Sequence, residues 1–118
     1  MLSLTRPTVI SLALCSVLSQ PASASCIFFS EPQRYNTQRD GETIVIGDLS
    51  DRPYRVVVFS DDETTVQRIQ ACILDAFLTQ SDFGPYMQAG SFERRSDAES
   101  LKRILQREGY DARVTYRR

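Results

Sequence analysis

The stretch GPYMQAGSF, residues 84–92, places chemically different side chains at alternate positions. Because alternate residues of a strand share one face, Tyr86, Gln88 and Gly90 are predicted to point one way, and Met87 and Ala89 the other. A glutamine amide offers one acceptor and two donors to the polar groups of a ligand. Glycine allows a ligand close to the backbone, and a tyrosine ring offers a flat surface for stacking. A binding face is one interpretation of this pattern.

A purely structural role for the same residues is the alternative. Gln88 could bond backbone groups near a bend in the strand, and Gly90 could mark a β-bulge. The alternation alone does not decide between the two interpretations.

Catalytic and metal-binding patterns are missing from the sequence. The chain has no histidine, the commonest general base and metal ligand. The acidic run at residues 61–63 suits the positive end of a helix dipole better than a metal site, and no two carboxylates are predicted to face each other across a cleft. We therefore expect no enzyme activity, no metal and no cofactor.

Residues 1–24, MLSLTRPTVISLALCSVLSQPASA, have the pattern of a secretory signal peptide. Arg6 precedes an apolar run of about a dozen residues, too short to cross a bilayer, and small residues end the segment at Ala24. Export to the periplasm or cell wall is predicted, with no transmembrane segment after cleavage. Cleavage would change the 14 basic and 15 acidic residues to 13 and 15, a net charge of −2. This balance argues against nucleic-acid or anionic-membrane binding.

Three cysteines are present, and Cys15 lies in the predicted signal peptide. Cys26 and Cys72 remain, an even number in an oxidising compartment, so they could form a disulfide. Alternatively, Cys72 is a buried helix residue and Cys26 a free thiol, or Cys26 is the lipidated N-terminus of a lipoprotein. The sequence leaves these three interpretations open.

Hydrophobic periodicity predicts one α+β domain over residues 53–118, preceded by a polar linker over residues 25–52. Within that linker, the apolar patch Thr43–Ile46 is expected to add a short strand or to pack on the edge of the domain. In the domain, YRVVVF, AFLTQ, PYMQAGSF and DARVTYRR are predicted strands. Two helices separate them in the order βαββαβ, each predicted to begin at a capping box, one with Ser60 and one with Ser96. Two similar β-α-β halves predict a ferredoxin-like sandwich, a four-stranded antiparallel sheet with both helices on one face.

The second half of this domain carries a family resemblance. Residues 87–114, MQAGSFERRSDAESLKRILQREGYDARV, closely resemble the core motif of SPOR domains, in which Gln-x-Gly-x-Phe precedes a helix of pattern A-x-x-L-x-x-x-L-x-x-x-G. The variant is similar to one found in exported cyanobacterial proteins. The resemblance covers about 65 residues, and it implies the sandwich fold. The residues that fall on the pattern are Gln88, Gly90, Phe92, Ala98, Leu101, Leu105 and Gly109.

The resemblance implies non-catalytic binding of peptidoglycan, chiefly glycan strands stripped of their peptide stems, as at division septa. Most SPOR domains carry the Gln-x-Gly-x-Phe motif in the first half, whereas here it lies in the second, which leaves the glycan-lining residues undecided. An envelope or division protein held on the open sheet or its edge strand is the alternative partner. The predicted glycan-binding residues are Tyr86, Gln88, Gly90, Ser91, Tyr54, Arg113 and Tyr116.

Overall fold

A computed structural model describes residues 26–117 of the chain, and the predicted signal peptide lies outside these residues. Two helices and six strands follow one another in the described part. Their bounds are β1 Thr37–Asp40, β2 Thr43–Ile46, β3 Tyr54–Val58, α1 Glu63–Cys72, β4 Phe77–Ser81, β5 Gly84–Phe92, α2 Arg95–Arg107 and β6 Ala112–Tyr116.

The strands form two antiparallel sheets. Strands β3 to β6 make a four-stranded sheet in the order β4-β5-β3-β6, and β1 and β2 make a separate hairpin. The predicted α+β class, with two helices and a four-stranded antiparallel sheet, is confirmed. The apolar patch Thr43–Ile46 is β2, and its partner β1 was not predicted.

Both helices contribute to one hydrophobic core on one face of the four-stranded sheet. Val56, Val58 and Met87 point from β3 and β5 into this core and are fully buried. Ile69 of α1 and Leu105 of α2 pack in the same cluster and are also fully buried. Each such aliphatic side chain contributes about 1.5–3 kcal/mol to folding on burial. The packing of these side chains therefore holds the two helices against the sheet.

The helix ends differ from the predicted capping boxes. The α1 cap is Asp62, whose carboxylate accepts a hydrogen bond from the Thr65 amide, while Ser60 lies outside the helix. Helix α2 begins at Arg95 without a side-chain cap. Its Glu99 pairs instead with Lys102 and Arg95, and the hydrogen bond from Lys102 is the main cause of a lowered Glu99 pKa.

The described part of the predicted linker, residues 26–52, is folded against the domain. We call these residues the strap. A disulfide joins Cys26 to Cys72 of α1, so the structure adopts the first of the three cysteine interpretations. Asn36 is fully buried, and its side-chain amide donates to the carbonyls of Gln88 and Ala89. The linker prediction is therefore wrong, because buried polar contacts, which hydrophobic periodicity does not detect, hold the strap.

Strand β5 contains an irregularity that changes which residues share a face. Val56 pairs with Gly90 and Val57 pairs with Gln88, so the register shifts at Ala89. An extra residue in one strand reverses the alternation beyond it. Gln88 and Gly90 therefore lie on opposite faces of the sheet, although they are two residues apart.

Candidate functional site

The sheet surface turned away from α1 and α2 is the open face. It carries the side chains that alternate with the core residues of each strand. Tyr86 of β5 lies there beside Phe59, which follows β3, with ring centroids 6.1 Å apart. Arg113 of β6 stacks on the other side of this cluster, 4.8 Å from the Phe59 ring centroid. The open face thus combines aromatic rings with a guanidinium group.

Two grooves cross the open face and meet at Arg55 and Tyr86. The aromatic groove has a volume of about 200 Å³ and the strap groove a volume of about 430 Å³. Both Arg55 and Tyr86 are half-buried. The aromatic groove is lined by Arg55, Val57, Phe59, Ser81, Phe83, Tyr86 and Thr115. The strap groove is lined by Ile46, Gly47, Asp48, Arg55, Phe77, Thr79, Tyr86, Gln88 and Arg117.

Cations collect around the strap groove. Arg55 and Arg117 both pair with the Asp48 carboxylate, which the strap supplies. Arg113, farther along the open face, contacts both carboxylate oxygens of Asp111 at 3.2 and 3.3 Å. Three arginines therefore face two aspartates here, although the chain as a whole is slightly acidic.

Gln88 lies on the predicted side of the sheet, but the strap covers it. Its side-chain nitrogen donates to Asn36 Oδ1 and to the Gly47 carbonyl, both at 3.0 Å, and only 2% of the residue is exposed. Both amide donors are thus used inside the protein. The amide binds the strap to the sheet, in agreement with the structural alternative for this residue.

Gly90 and Ser91 are also buried, and the prediction that Gly90 lies on the open face is wrong. A Cβ at position 90 would come within 2.9 Å of Tyr35 Cβ and 3.0 Å of Leu101 Cδ2, so this glycine allows the strap and α2 to pack closely. The Ser91 hydroxyl donates to the Tyr35 carbonyl, which also accepts from the Ser91 amide. The shifted register in β5 is the physical reason for the error.

Tyr54 and Tyr116 lie on the helix-covered side of the sheet, so the prediction that Tyr54 shares a face with Tyr86 is wrong. Strand β3 is regular, and Tyr54 therefore shares a face with the core residues Val56 and Val58. Its ring packs against the core and lies 5.1 Å from the ring of Tyr116. Of the predicted glycan-binding residues, Tyr86 and Arg113 remain accessible on the open face.

Several open-face residues were not among the predicted site residues. Arg55 alternates with the buried Val56 in YRVVVF, and this spacing could have placed it on the open face. Thr79 could have been found in the same way, because it pairs directly with Tyr86 across the sheet. Asp48 had no such signal, since it lies in a segment predicted to be a linker.

A further cavity of about 380 Å³ lies on the helix-covered side. The rings of Tyr35 and Phe92 form part of it, with centroids 5.2 Å apart, and burial raises the pKa of Tyr35. Asp97 and Ser100 of α2 supply the other polar side chains of the lining, which contains no cation. This cavity therefore lacks the combination of aromatic and basic groups found on the open face.

Replacing Gln88 with alanine is expected to destabilise the fold. The change removes two buried hydrogen bonds and leaves a small cavity, so the free energy of unfolding should fall by about 2 kcal/mol. Urea denaturation measures this loss. Gln80→Ala is the matched control, because Gln80 is an exposed strand glutamine and its loss should cost less than about 0.5 kcal/mol. Equal stability of the two variants would contradict the buried role of Gln88.

The described residues contain no group of three or more Cys, Asp or Glu side chains arranged to hold a metal ion. Within residues 26–117, no helix combines the length and the apolar character needed to cross a membrane. Comparison of the chain with family models, with curated proteins and with solved structures finds no match.

Proposed function

We propose that this chain is a non-catalytic module of the bacterial cell envelope that binds peptidoglycan, chiefly glycan strands without peptide stems. The observation that carries the proposal is the position of Tyr86, half-buried where two open-face grooves meet, with Arg55 in the lining of the same two grooves. A ring that can stack on a pyranose, next to donors for its oxygen atoms, is the arrangement that a saccharide requires.

The proposed fold is the ferredoxin-like βαββαβ sandwich of a SPOR domain. The sheet order β4-β5-β3-β6 supports it, because the first and third strands of the four lie at the centre and the second and fourth at the edges. In this chain, Gln88 and Gly90 of the motif support the strap and the core. The glycan contacts are therefore assigned to neighbouring open-face side chains, namely Tyr86, Arg55, Thr79 and Arg113.

Export to the periplasm or cell wall is part of the proposal. The Cys26–Cys72 disulfide supports it, because disulfides persist in oxidising compartments. A sulfur atom in a disulfide cannot also carry a lipid thioether, so lipidation of Cys26 is not proposed.

Tyr86→Ala is expected to weaken retention on peptidoglycan about tenfold, because an anchoring aromatic ring contributes on the order of 1–2 kcal/mol at an interface. The measurement is a pull-down of residues 25–118 on purified sacculi, with and without amidase treatment to remove peptide stems. Retention by the unaltered protein should increase after amidase treatment.

Tyr116→Ala is the matched control for this variant. Tyr116 is also a strand tyrosine and 62% of it is exposed, but it lies on the helix-covered side, so its removal should leave retention unchanged. If the unaltered protein bound neither sacculus preparation, the glycan proposal would be wrong. Equal losses of retention in Tyr86→Ala and Tyr116→Ala would show that the open face is not the glycan-binding surface.

Binding of an envelope protein is the second candidate function. The observation that favours it is the exposure of Leu78 on the edge strand β4, at 46%, and of Phe83 in the following turn, at 92%. An extended partner segment could pair with the free edge of β4 and cover both side chains. Leu78→Ser would then abolish partner capture, whereas retention on sacculi would not depend on it, because Leu78 lines neither open-face groove.

A further inference from the structure

We infer that Arg55 and Arg117 form a carboxylate-binding site which Asp48 occupies in the free protein, and that an acidic saccharide displaces Asp48 from it. The inference rests on the proposed function and specifies its ligand, a saccharide that carries a carboxylate group. Three observations on the strap groove support it: the convergence of the two arginines, an unsatisfied donor on Arg55, and the presence of Tyr86 in the lining of the same groove.

The two guanidinium groups converge on a single atom. Arg55 Nη2 and Arg117 Nη1 both contact Asp48 Oδ1. Arg55 comes from β3, Arg117 follows β6 and Asp48 comes from the strap, so three separate segments meet here. Two positive charges share one negative charge, and the site therefore retains a net positive charge that favours an anion.

The contact with Asp48 leaves Arg55 incompletely bonded. Arg55 Nε is buried, and within residues 26–117 it has no hydrogen-bond partner. A bidentate carboxylate normally uses two nitrogens of one guanidinium group, as Asp111 does with Nε and Nη2 of Arg113. Asp48 engages Nη2 of Arg55 alone. A ligand carboxylate that also reached Nε would satisfy a donor that Asp48 does not.

The Asp48 side chain is in a position to be displaced. It is 63% exposed, whereas the Arg55 side chain is only 17% exposed. An ion pair with an exposed partner contributes little to stability, so its exchange for a ligand carboxylate is not costly. Asp48 would move toward solvent, while burial limits the movement of the Arg55 side chain.

The groove provides the rest of the saccharide site. Arg55 and Tyr86 line the same groove, so a sugar ring stacked on Tyr86 can direct a substituent toward the arginines. Amidase treatment removes a peptide stem by hydrolysing the amide bond between the stem and the lactyl group of muramic acid. The lactyl group then carries a free carboxylate. Recognition of this charge gives a physical reason for binding stripped strands in preference to intact ones.

The test uses the full-length protein and two forms of amidase-treated, solubilised glycan strands. In one form the lactyl carboxylates are free, and in the other they are converted to neutral methylamides. Asp48→Asn keeps the shape of the side chain but removes its charge, so it should bind the carboxylate strands about fivefold more tightly. Its affinity for the methylamide strands should not change.

Two further variants provide controls. Arg55→Lys retains the charge but loses the planar fork, so its affinity for carboxylate strands should fall about fivefold toward that for methylamide strands. Asp61→Asn changes the net charge equally at an exposed position before α1 and should have no effect. Thermal unfolding of each variant verifies that it is folded.

The outcomes separate this inference from the proposed function. Equal binding of the two strand forms, with no change in Asp48→Asn, would overturn the carboxylate site and leave glycan binding intact. An equal gain in Asp48→Asn and Asp61→Asn would also overturn it, because the effect would come from net charge alone. If neither strand form binds the unaltered protein, both the proposed function and this inference fail.

Discussion

Replacing Asp75 with alanine is expected to detach the strap from the sheet and to lower the free energy of unfolding by about 3 kcal/mol. The Asp75 carboxylate accepts hydrogen bonds from the backbone amides of Tyr35 at 3.0 Å and Asn36 at 2.9 Å, and from the Thr37 hydroxyl at 2.6 Å. Asp75 itself is only 9% exposed. The substitution leaves three donors without this acceptor. Urea denaturation measures the loss.

Hydrogen exchange makes this prediction specific to the strap. The Asn36 backbone amide should exchange much faster in Asp75→Ala, because it loses its acceptor. Exchange of the backbone amides in the central strand β3 should change only as far as the global stability changes. Asp61→Ala removes an exposed carboxylate and should change neither quantity. Protection of the Asn36 amide equal to that in the unaltered protein would show that the carboxylate is not what holds the strap.

The elements of the main sheet could be predicted because local patterns specify them. In YRVVVF, Val56 and Val58 alternate with Arg55 and Val57, and only one register buries both outer valines against the helices. Helix α2 has Ala98, Leu101 and Leu105 on one stripe, and Gly109 ends the turn beyond it with a φ of 90°. In each case, residues close in sequence carry the information.

The strap could not be predicted because its contacts are distant in sequence and polar. Asn36 bonds to groups 39 to 53 residues away, on Asp75, Gln88 and Ala89. An asparagine between polar neighbours has no periodic signal for burial, and polar composition normally indicates a loop. For the same reason, the strap residues of the candidate site, Gly47 and Asp48, could not be predicted.

The faces of β5 were mispredicted because regular alternation was assumed throughout the strand. Gln88 and Gly90 share a face only if the register does not shift between them, and here it shifts at Ala89. A glycine in a strand is compatible with either a ligand approach or a bulge. The deciding fact is the close packing of Tyr35 and Leu101 around Gly90, and Tyr35 lies in the strap, far from Gly90 in sequence. The candidate site is therefore centred on Tyr86 and Arg55, and not on the motif residues Gln88 and Gly90.

The disulfide is the covalent attachment of the strap, and its loss should have the largest effect on stability. Cys26 and Cys72 are 46 residues apart in sequence, and closing a loop of this length restricts the unfolded chain by about 4 kcal/mol. The double variant Cys26→Ala, Cys72→Ala should therefore lose about that amount in urea denaturation. The aromatic contacts of Phe28 and Phe29 that follow Cys26 would then depend on hydrogen bonds, those of Asp75 and Gln88 among them, to keep the strap in register.

Reduction of the unaltered protein provides the matched control for this double variant. With a thiol reductant present, its unfolding midpoint should fall to about that of the double variant, whose own midpoint should not respond to the reductant. Combining the double variant with Asp75→Ala should cost less than the sum of the separate effects, because either change frees the same segment. Full additivity would mean that the disulfide and the carboxylate hold independent parts of the strap. An unfolding midpoint unaffected by reduction would show that the cross-link does not stabilise the native fold.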